Sequence, residues 1–274
     1  MIDRELIKRA LAEDLQGGED ITTIATVSGN ENVIADFVSR KTGVVAGIEM
    51  AKAVLQEVGL TDISILAQDG NIVKAGEILM SVRGDTRKIL LAERTALNFL
   101  GHLSGIATLT RAWVDAVAGT SCKIRDTRKT TPGMRLLEKY AVRMGGGTNH
   151  RMSLSDAALI KDNHIAAAGG VAQAFSKVRE KFPTSEIEVE VDTLEQLQEV
   201  LPLKPDLVLL DNMSPQQCAQ AVSLVSGATK LEASGGISLE NAKEYALSGV
   251  HYLAIGALTH SAPVLDIGLD LRAE

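Results

Sequence analysis

The segments that decide the fold are IEVEV (187–191), DLVLLD (206–211), KLEAS (230–234) and HYLAIG (251–256). Each is a short apolar run that ends in a polar or small residue. These end residues, Glu190, Asp211, Ser234 and Gly256, follow one another at intervals of 21, 23 and 22 residues. Consecutive βα units produce such regular spacing, and a succession of them implies a parallel sheet. The pattern predicts a parallel sheet that is either closed as a barrel or open and doubly wound.

A barrel explains the positions of the polar residues better than an open sheet does. Two further strands are predicted upstream, KIRDT (123–127) and AALIKD (157–162). Polar side chains or glycines follow nearly every strand, and barrel active sites are assembled from strand C-terminal ends and the loops after them. No glycine-rich dinucleotide-binding motif follows the first strand. We therefore predict an α/β barrel.

The part of the chain before the barrel has a different pattern, in which helices and strands are mixed. A proline-free helical stretch is predicted over 86–118, where Gly101 and Gly105 interrupt the helix and mark a junction between two parts. The α+β half that precedes it ends near residue 85. Its predicted elements are helix 2–15, strand 33–38, helix 48–59, strand 63–66 and strand 77–82.

The composition indicates a globular protein with one large domain or two modest ones. Hydrophobic residues make up 45% of the 274 residues and aromatic residues only 3%, as expected for a core of aliphatic side chains under a parallel sheet. No apolar run approaches the roughly 18 residues of a membrane helix, and the N-terminal segment is charged rather than apolar. Cys122 and Cys218 are expected to be reduced core residues. These features predict a cytoplasmic protein.

The charge is distributed unevenly along the chain. The net charge of −7 argues against a nucleic-acid-binding protein. Between Lys123 and Lys161, however, nine basic and three acidic residues give +6, so the rest of the chain carries −13. A local positive field in an acidic protein indicates a site for a small anion. The alternative is a solvated basic helix face.

The cations that bear on this choice fall at predicted strand ends. Glu190 and Asp211 can each form an ion pair with Lys161 or Arg151, and buried charges must be paired. Pairing does not account for the excess of cations, whereas a bound anion does, because Arg and Lys are the side chains that bind carboxylates and phosphates. The strand-end residues are Arg128, Lys129, His150, Arg151, Lys161, His164, Glu190, Asp211, Ser234, Gly235, Gly236 and Gly256.

The last two strands indicate a phosphate site. EASGGIS (232–238) and AIGALTHS (254–261) place small residues where a strand is predicted to turn into a helix. Small residues let backbone N–H groups approach a phosphate, and a helix N-terminus favours negative charge. Phosphates commonly bind barrels at the loops after the seventh and eighth strands. Two such turns in consecutive units predict a phosphate site.

Other chemistries remain open for two residue types. Lys161 at a barrel strand end can form a Schiff base, as an aldolase requires, although an aldolase has less need for so many other cations. We rank that reading second. His150 and His164 are potential metal ligands, but no third His or Cys shares their spacing, so a metal site built by the protein alone is not expected.

The same residues carry a resemblance to the quinolinate phosphoribosyltransferase family. The most specific segments are DTRKTTPGMRLLEKYAVRMGGGTNHR (126–151), LLAERTALNFLGHLSGIAT (90–108) and ALIKDNH (158–164). EVEVDTLEQ (188–196), LLDNM (209–213), ASGGI (233–237) and EDLQGGEDITT (13–23) agree as well. The resemblance therefore covers the chain from end to end, with no family site residue missing.

The resemblance implies a pentosyl transfer in de novo NAD synthesis. Quinolinate and phosphoribosyl pyrophosphate would give nicotinate mononucleotide, pyrophosphate and carbon dioxide. Arg94, Arg128, Arg151 and Lys161 would surround the carboxylates of quinolinate, with His150 nearby. Lys129 would bind the sugar pyrophosphate, and Glu190 and Asp211 would hold ribose hydroxyls and substrate-bound Mg²⁺. The loops at Ser234, Gly235, Gly236 and Gly256 would hold the 5′-phosphate.

The resemblance also implies an architecture and an assembly. The family fold is an N-terminal α/β sandwich, here residues 1–105, joined to an open, irregular α/β barrel, here residues 106–263. The tail, 264–274, would pack back on the first domain. A homodimer is expected in which Arg94 reaches into the partner's site. Two alternatives remain, a paralogue on this scaffold with another acceptor and a non-catalytic anion-binding protein.

Overall fold

The computed structural model describes residues 2–29 and 31–272, and these form two compact units. The first unit comprises Met1–Arg111, Leu136–Gly146 and Ser261–Glu274, and the second comprises Ala112–Arg135 and Gly147–His260. None of the described helices is long and apolar enough to cross a membrane.

The elements up to residue 116 are α1 (Arg4–Leu15), α2 (Ile21–Thr26), β1 (Asn32–Ser39), β2 (Gly43–Val44), α3 (Ile48–Glu57), β3 (Asp62–Ile65), β4 (Ile72–Val73), β5 (Ile78–Asp85) and α4 (Thr86–Ala116). Those that follow are β6 (Lys123–Arg125), α5 (Arg135–Met144), β7 (Ala158–Ile160), α6 (Asp162–Ala168), α7 (Val171–Lys181), β8 (Ile187–Val191), α8 (Leu194–Val200), a 3₁₀ turn (Leu201–Leu203), β9 (Leu207–Asp211), α9 (Pro215–Val225), β10 (Lys230–Ser234), α10 (Ala242–Leu247), β11 (Tyr252–Ala254), α11 (Ala257–His260) and β12 (Ile267–Arg272).

The first unit is built on a four-stranded antiparallel sheet. Its strand order is β12-β1-β5-β3, with Phe37 of β1 opposite Met80 of β5, both fully buried. The predicted helices and strands of this half are confirmed to within three residues. The sequence did not predict β12, in which Leu269 lies opposite Phe37. Residues 273 and 274 of the expected tail lie outside the described residues.

The long helix α4 is continuous, so the expectation that Gly101 and Gly105 interrupt it is wrong. The reason for both glycines is close packing within the first unit. A Cβ at Gly101 would lie 3.0 Å from the carbonyl oxygen of Leu265, and one at Gly105 would lie 2.1 Å from that of Pro263. The N–H of Leu265 also donates to the carbonyl of Gly101 at 3.0 Å. The glycines let the chain before β12 lie directly against the helix.

The second unit contains a parallel sheet of six strands in the order β6-β11-β10-β9-β8-β7. All six strands agree with the predicted segments, and β8 and β10 have the predicted bounds. Among the described residues β6 and β7 do not pair, and a bridge from Arg125 to Thr148 extends the β6 edge. The architecture is therefore the open α/β barrel that the sequence predicts. Because the strands are parallel, their polar C-terminal residues meet at one edge.

We expect Gly105→Ala to lower the free energy of unfolding. Alanine favours a helix over glycine by about 1 kcal/mol, but here its methyl group would overlap the backbone of Pro263. Overpacking of this kind costs about 1–3 kcal/mol, so a net loss is expected in urea denaturation. Gly29→Ala is the control, because a Cβ there would meet nothing closer than 3.9 Å. A gain of stability in Gly105→Ala would contradict this packing.

Candidate active site

The C-terminal ends of the strands in the second unit surround a cavity of about 370 Å³. Eight predicted site residues line it, whereas Gly235, Gly236 and Gly256 lie in the loops beside it and Arg94 is exposed on α4 of the first unit. The lining residues are Thr127, Arg128, Lys129, His150, Arg151, Leu159, Lys161, Glu190, Leu209, Asp211, Glu232, Ser234 and Ala254.

Two guanidinium groups form the most positively charged part of this cavity. Burial and the charge of Arg128 lower the pKa of Arg151, so the two arginines repel one another. Arg151 also donates from Nη1 to the carbonyl of Ala157 at 2.8 Å, which fixes its position. The Nε of Arg128 is buried and has no hydrogen-bond partner among the described residues. Such an arrangement is favourable when an anion with two acceptor groups binds between the arginines.

Carboxylates also line the cavity. Lys161 Nζ makes an ion pair with Glu190, so part of the charge pairing expected from the sequence is present. Burial and Asp192 raise the pKa of Asp211, and Lys161 and Lys129 oppose that shift. The ion pair with Glu190 engages the amine that a Schiff base would require. The geometry therefore argues against the aldolase reading.

The glycine turn after β10 differs from the expected one. Gly235 and Gly236 both have left-handed backbone angles, with φ of +85° and +64°, so the turn is not helical and α10 begins only at Ala242. The expectation that this turn forms the N-terminus of a helix is therefore wrong. Successive left-handed or turn residues can still direct N–H groups at an anion, as in a backbone nest.

The turn after β11 matches the expectation, because α11 begins directly after Gly256. A Cβ at Gly256 would lie 3.1 Å from Cδ of Lys129 and 3.1 Å from Nε2 of His260. The hydroxyl of Thr259 donates to the carbonyl of Lys129 at 2.8 Å. Glycine thus lets the Lys129 side chain and His260, which the sequence analysis missed, approach this turn.

Below the polar edge lies a buried charged cluster that the sequence analysis also missed. Glu188 and Glu232 are 4% and 0% exposed, and each lies two residues before a predicted strand tip. Nε2 of His150 is 2.8 Å from Glu188 and 3.5 Å from Glu232. Arg125 donates to Glu232 at 2.7 Å. The sequence did carry a signal for this cluster. Residues two apart on a strand point to the same face, so Glu188 points the same way as Glu190 and Glu232 the same way as Ser234.

The tautomer of His150 follows from its backbone neighbour. The N–H of Arg151 donates to Nδ1 of His150 at 2.8 Å, so Nδ1 is an acceptor and Nε2 carries the proton that Glu188 accepts. Ligand atoms of His150, Glu188 and Glu232 lie within 4.8 Å of one another. A protonated Nε2 cannot ligate a metal, and Arg125 already donates a hydrogen bond to Glu232. The cluster therefore does not fit a cation.

His164 has a structural role instead of a site role. Its Nδ1 accepts from the N–H of Lys161 at 3.0 Å and closes a capping box at the start of α6. This interaction fixes the backbone from which the Lys161 side chain extends.

An open parallel α/β barrel whose cavity is lined by guanidinium and carboxylate groups belongs to the class of enzymes that bind small anionic substrates at strand ends. The comparisons with known proteins identify the family. The description "Quinolinate phosphoribosyl transferase, C-terminal domain" matches residues 106–270, and its N-terminal counterpart matches residues 20–104. The chain belongs to the quinolinate phosphoribosyltransferase family, as the sequence resemblance predicted.

Individual relatives cover nearly the whole chain. The nicotinate-nucleotide pyrophosphorylase [carboxylating] of Mycobacterium leprae is 54% identical, over 98% of this chain and 96% of its own. The crystal structure of the nicotinate-nucleotide pyrophosphorylase of Ehrlichia chaffeensis is 41% identical, with a TM-score of 0.94 over 98% of both chains. The Francisella tularensis structure is 39% identical, with a TM-score of 0.94 over 98% of this chain and 95% of that one.

We expect Gly235→Ala to destabilise the protein more than Gly236→Ala. Both residues have positive φ, so an added Cβ strains both backbones. Only at Gly235 would the Cβ also lie 2.1 Å from Oδ1 of Asn212, whereas nothing lies within 4 Å at Gly236. The difference in unfolding free energy, measured in urea, should be about 1–3 kcal/mol. Equal losses would mean that the contact with Asn212 is not tight.

Proposed function

We propose that this chain joins quinolinate to the ribose of phosphoribosyl pyrophosphate and releases pyrophosphate and carbon dioxide. The product is nicotinate mononucleotide, which places the enzyme in de novo NAD synthesis. The observation that carries the proposal is the pair of mutually repelling guanidinium groups at one side of the cavity, those of Arg128 and Arg151. A dicarboxylate relieves that repulsion, and carboxylates are matched by the planar donor fork of arginine.

The cationic residues of the cavity bind quinolinate, the molecule to which the ribose is transferred. Arg128 and Arg151 bind the two carboxylates, and Lys161 adds a third positive charge. His150 lies beside them with both ring nitrogens engaged, so it borders the substrate and orients Arg151 through the backbone N–H. These cations mainly orient quinolinate, because a charge that stabilises a bound carboxylate does not favour its loss.

The sugar phosphate is held by other residues of the cavity and by the two glycine turns. Lys129 binds the pyrophosphate, and the loops at Ser234, Gly235, Gly236 and Gly256 hold the 5′-phosphate. Glu190 and Asp211 accept hydrogen bonds from ribose hydroxyls. The raised pKa of Asp211, caused by burial and by Asp192, marks an excess of negative charge that a cation would relieve. Glu190 and Asp211 therefore fit Mg²⁺ held mainly by the substrate, which neutralises charge on the pyrophosphate when bound.

The charges of the site suit the transfer itself. The ring nitrogen of quinolinate attacks C1 of the ribose while the bond to pyrophosphate breaks, so positive charge develops on the sugar and negative charge leaves. Glu190 and Asp211 favour the cationic sugar, and Lys129 stabilises the leaving group. The positive ring nitrogen of the product then accepts the electron pair that remains when the adjacent carboxyl group departs as carbon dioxide.

The test is carbon dioxide release from carboxyl-labelled quinolinate, with and without phosphoribosyl pyrophosphate and Mg²⁺. Release that requires all three, with nicotinate mononucleotide formed in step, supports the proposal. Nicotinate offered in place of quinolinate should be rejected, because the cations that pair with its missing carboxylate are left unsatisfied. Turnover of nicotinate would favour a paralogue with another acceptor, and labelled binding without turnover would favour a non-catalytic anion-binding protein.

We expect Arg128→Ala to lower kcat/KM for quinolinate by about 100-fold or more. Removing one partner of a desolvated charge pair costs about 2–5 kcal/mol. Its thermal unfolding should change little, because the charge serves the ligand. Lys123→Ala is the matched control, because Lys123 is an exposed cation on the same unit and outside the cavity lining. Wild-type kinetics in Arg128→Ala would remove Arg128 from the site.

We further propose a homodimer in which Arg94 of one protomer completes the partner's quinolinate site. Arg94 is exposed on α4 and outside the lining of the cavity, so within one chain it has no catalytic contact among the described residues. The proposal rests on the family resemblance and on this exposure.

A mixture of inactive variants tests this arrangement. Arg94→Ala and Lys161→Ala dimers should each be inactive, because each lacks one substrate contact in both sites. After mixing and re-equilibration, heterodimers should regain one intact site each, and activity should rise to about a quarter of the wild-type value. No recovery, with subunit exchange demonstrated by mass, would place Arg94 and Lys161 in the same protomer's site or outside it.

We propose a cytoplasmic location. Cys122 and Cys218 are buried as separate thiols, and burial raises the pKa of the former to about 12 and of the latter to about 11. Protonated, enclosed thiols suit a reducing compartment.

A further inference from the structure

We propose that Glu232 supplies the proton that replaces the departing carboxyl group on the pyridine ring. The inference rests on the proposed function, because that reaction exchanges a carboxyl group for a hydrogen on carbon and so consumes one proton. The groups of the cavity already described bind and orient the substrates. The buried cluster below the polar edge contains a carboxyl group, that of Glu232, which can supply this proton.

The position of Glu232 suits a proton donor to the bound ring. It lies on β10, two residues before Ser234, and belongs to the lining of the same cavity as Arg128 and Arg151. Its side chain is 0% exposed, and burial disfavours the charged form of a carboxyl group. Arg125 donates to one carboxylate oxygen, Oε2, at 2.7 Å. The other oxygen, Oε1, has no hydrogen-bond partner among the described residues and is 3.5 Å from Nε2 of His150.

The neighbouring charged groups explain why Glu232 holds the proton. Burial and the carboxylate of Glu188 raise the pKa of Glu232 to about 7, although His150 and Arg125 oppose the shift. The titratable groups that face it are Arg125 of β6, His150, Glu188 of β8 and Cys122, whose own pKa the charge of Glu232 raises further. In the sheet its neighbours are the apolar Leu209 on β9 and the phenol-bearing Tyr252 on β11.

A carboxylic acid of this strength is a better donor than the other groups at hand. General acids work best when their pKa lies near the operating pH. Lys161 is paired with Glu190, and an ammonium group is ordinarily a weaker acid than a carboxyl group by several pKa units. Arg128 and Arg151 keep their protons throughout. Glu232 is therefore the lining residue that can release a proton near neutrality.

The proton of Glu232 replaces the carboxyl group on the ring carbon. The bond between the ring carbon and the carboxyl carbon breaks, carbon dioxide leaves, and the electron pair stays on the ring carbon beside the positive nitrogen. That pair takes the proton from the carboxyl group of Glu232, so a C–H bond forms and an O–H bond breaks. Glu232 is left as a carboxylate that Arg125 stabilises at 2.7 Å. Water restores the proton after the product leaves.

The decisive variant is Glu232→Gln, which keeps the size of the side chain and cannot supply the proton. Pyrophosphate release should continue, whereas carbon dioxide release should fall by about 100-fold, the range for loss of a general acid. The carboxylated mononucleotide should therefore accumulate, and the ratio of pyrophosphate to carbon dioxide should rise above one. An equal loss of both products would indicate a structural role and would overturn the proposal.

Glu188→Gln is the matched control. It makes the same chemical change at a buried carboxylate 2.8 Å from His150. Because it disturbs the orientation of His150, it should raise the KM for quinolinate and leave the product ratio at one. A raised ratio in Glu188→Gln equal to that in Glu232→Gln would mean that the cluster, and not Glu232, supplies the proton, and would overturn the assignment.

A second measurement does not depend on whether the variant folds. Decarboxylation of the preformed carboxylated mononucleotide by the unaltered enzyme should be fastest at low pH, where Glu232 is protonated. The rate should fall as the pH rises through about 7. A rate that is flat between roughly pH 6 and 9 would overturn the proposal. If the unaltered enzyme releases no pyrophosphate from quinolinate and phosphoribosyl pyrophosphate, the proposed function fails first, and the two failures are distinguishable.

Discussion

The electrostatic balance at the C-terminal edge of the parallel sheet is the constraint on which the rest of this structure depends. Parallel strands bring all their C-terminal residues to one place, and here those residues are mostly charged. Lys161 is balanced by Glu190, whereas Arg128 and Arg151 repel one another. The guanidinium group of Arg151 is held in place by its hydrogen bond to the carbonyl of Ala157, and the dicarboxylate of the proposed reaction would relieve the repulsion. The same constraint explains why a chain of net charge −7 concentrates its cations in one segment.

The period of two along each strand divides the site into an upper and a lower level. Glu190 and Ser234 stand at the polar edge, and Glu188 and Glu232 point the same way two residues earlier. The residues at the edge are partly exposed, whereas Glu188 and Glu232 are buried. Leu209 is in register with both Glu190 and Glu232, so it is the apolar neighbour that the two carboxylates share in the sheet. One pattern of sequence thus provides two electrostatic environments.

The sequence predicted the strands and their polar ends well, because both are local signals. β8 and β10 have the predicted bounds, and eight predicted residues line one cavity. The sequence did not predict features that depend on contacts with residues far away along the chain. Gly101 and Gly105 were read as helix breaks, yet they are fixed by the carbonyls of residues more than 150 positions away. The pairing of β12 with β1 is equally non-local. The buried cluster was missed because its carboxylates look like ordinary strand residues until Arg125 and His150 meet them.

Asn212, whose backbone is strained, links the end of β9 to the glycine turn after β10. Asn212 directly follows Asp211 and has a φ of +53°, which costs energy for any residue except glycine, though least for Asn. Its backbone N–H donates to the carbonyl of Ser234 at 2.8 Å, and its side-chain amide donates to Asp211 at 2.8 Å. Gly235 must lack a Cβ because Oδ1 of Asn212 occupies that space. The carboxylate end of β9 and the glycine turn of β10 are therefore positioned by one residue, so neither can shift without the other. Strain at Asn212 is retained because both contacts depend on the left-handed conformation.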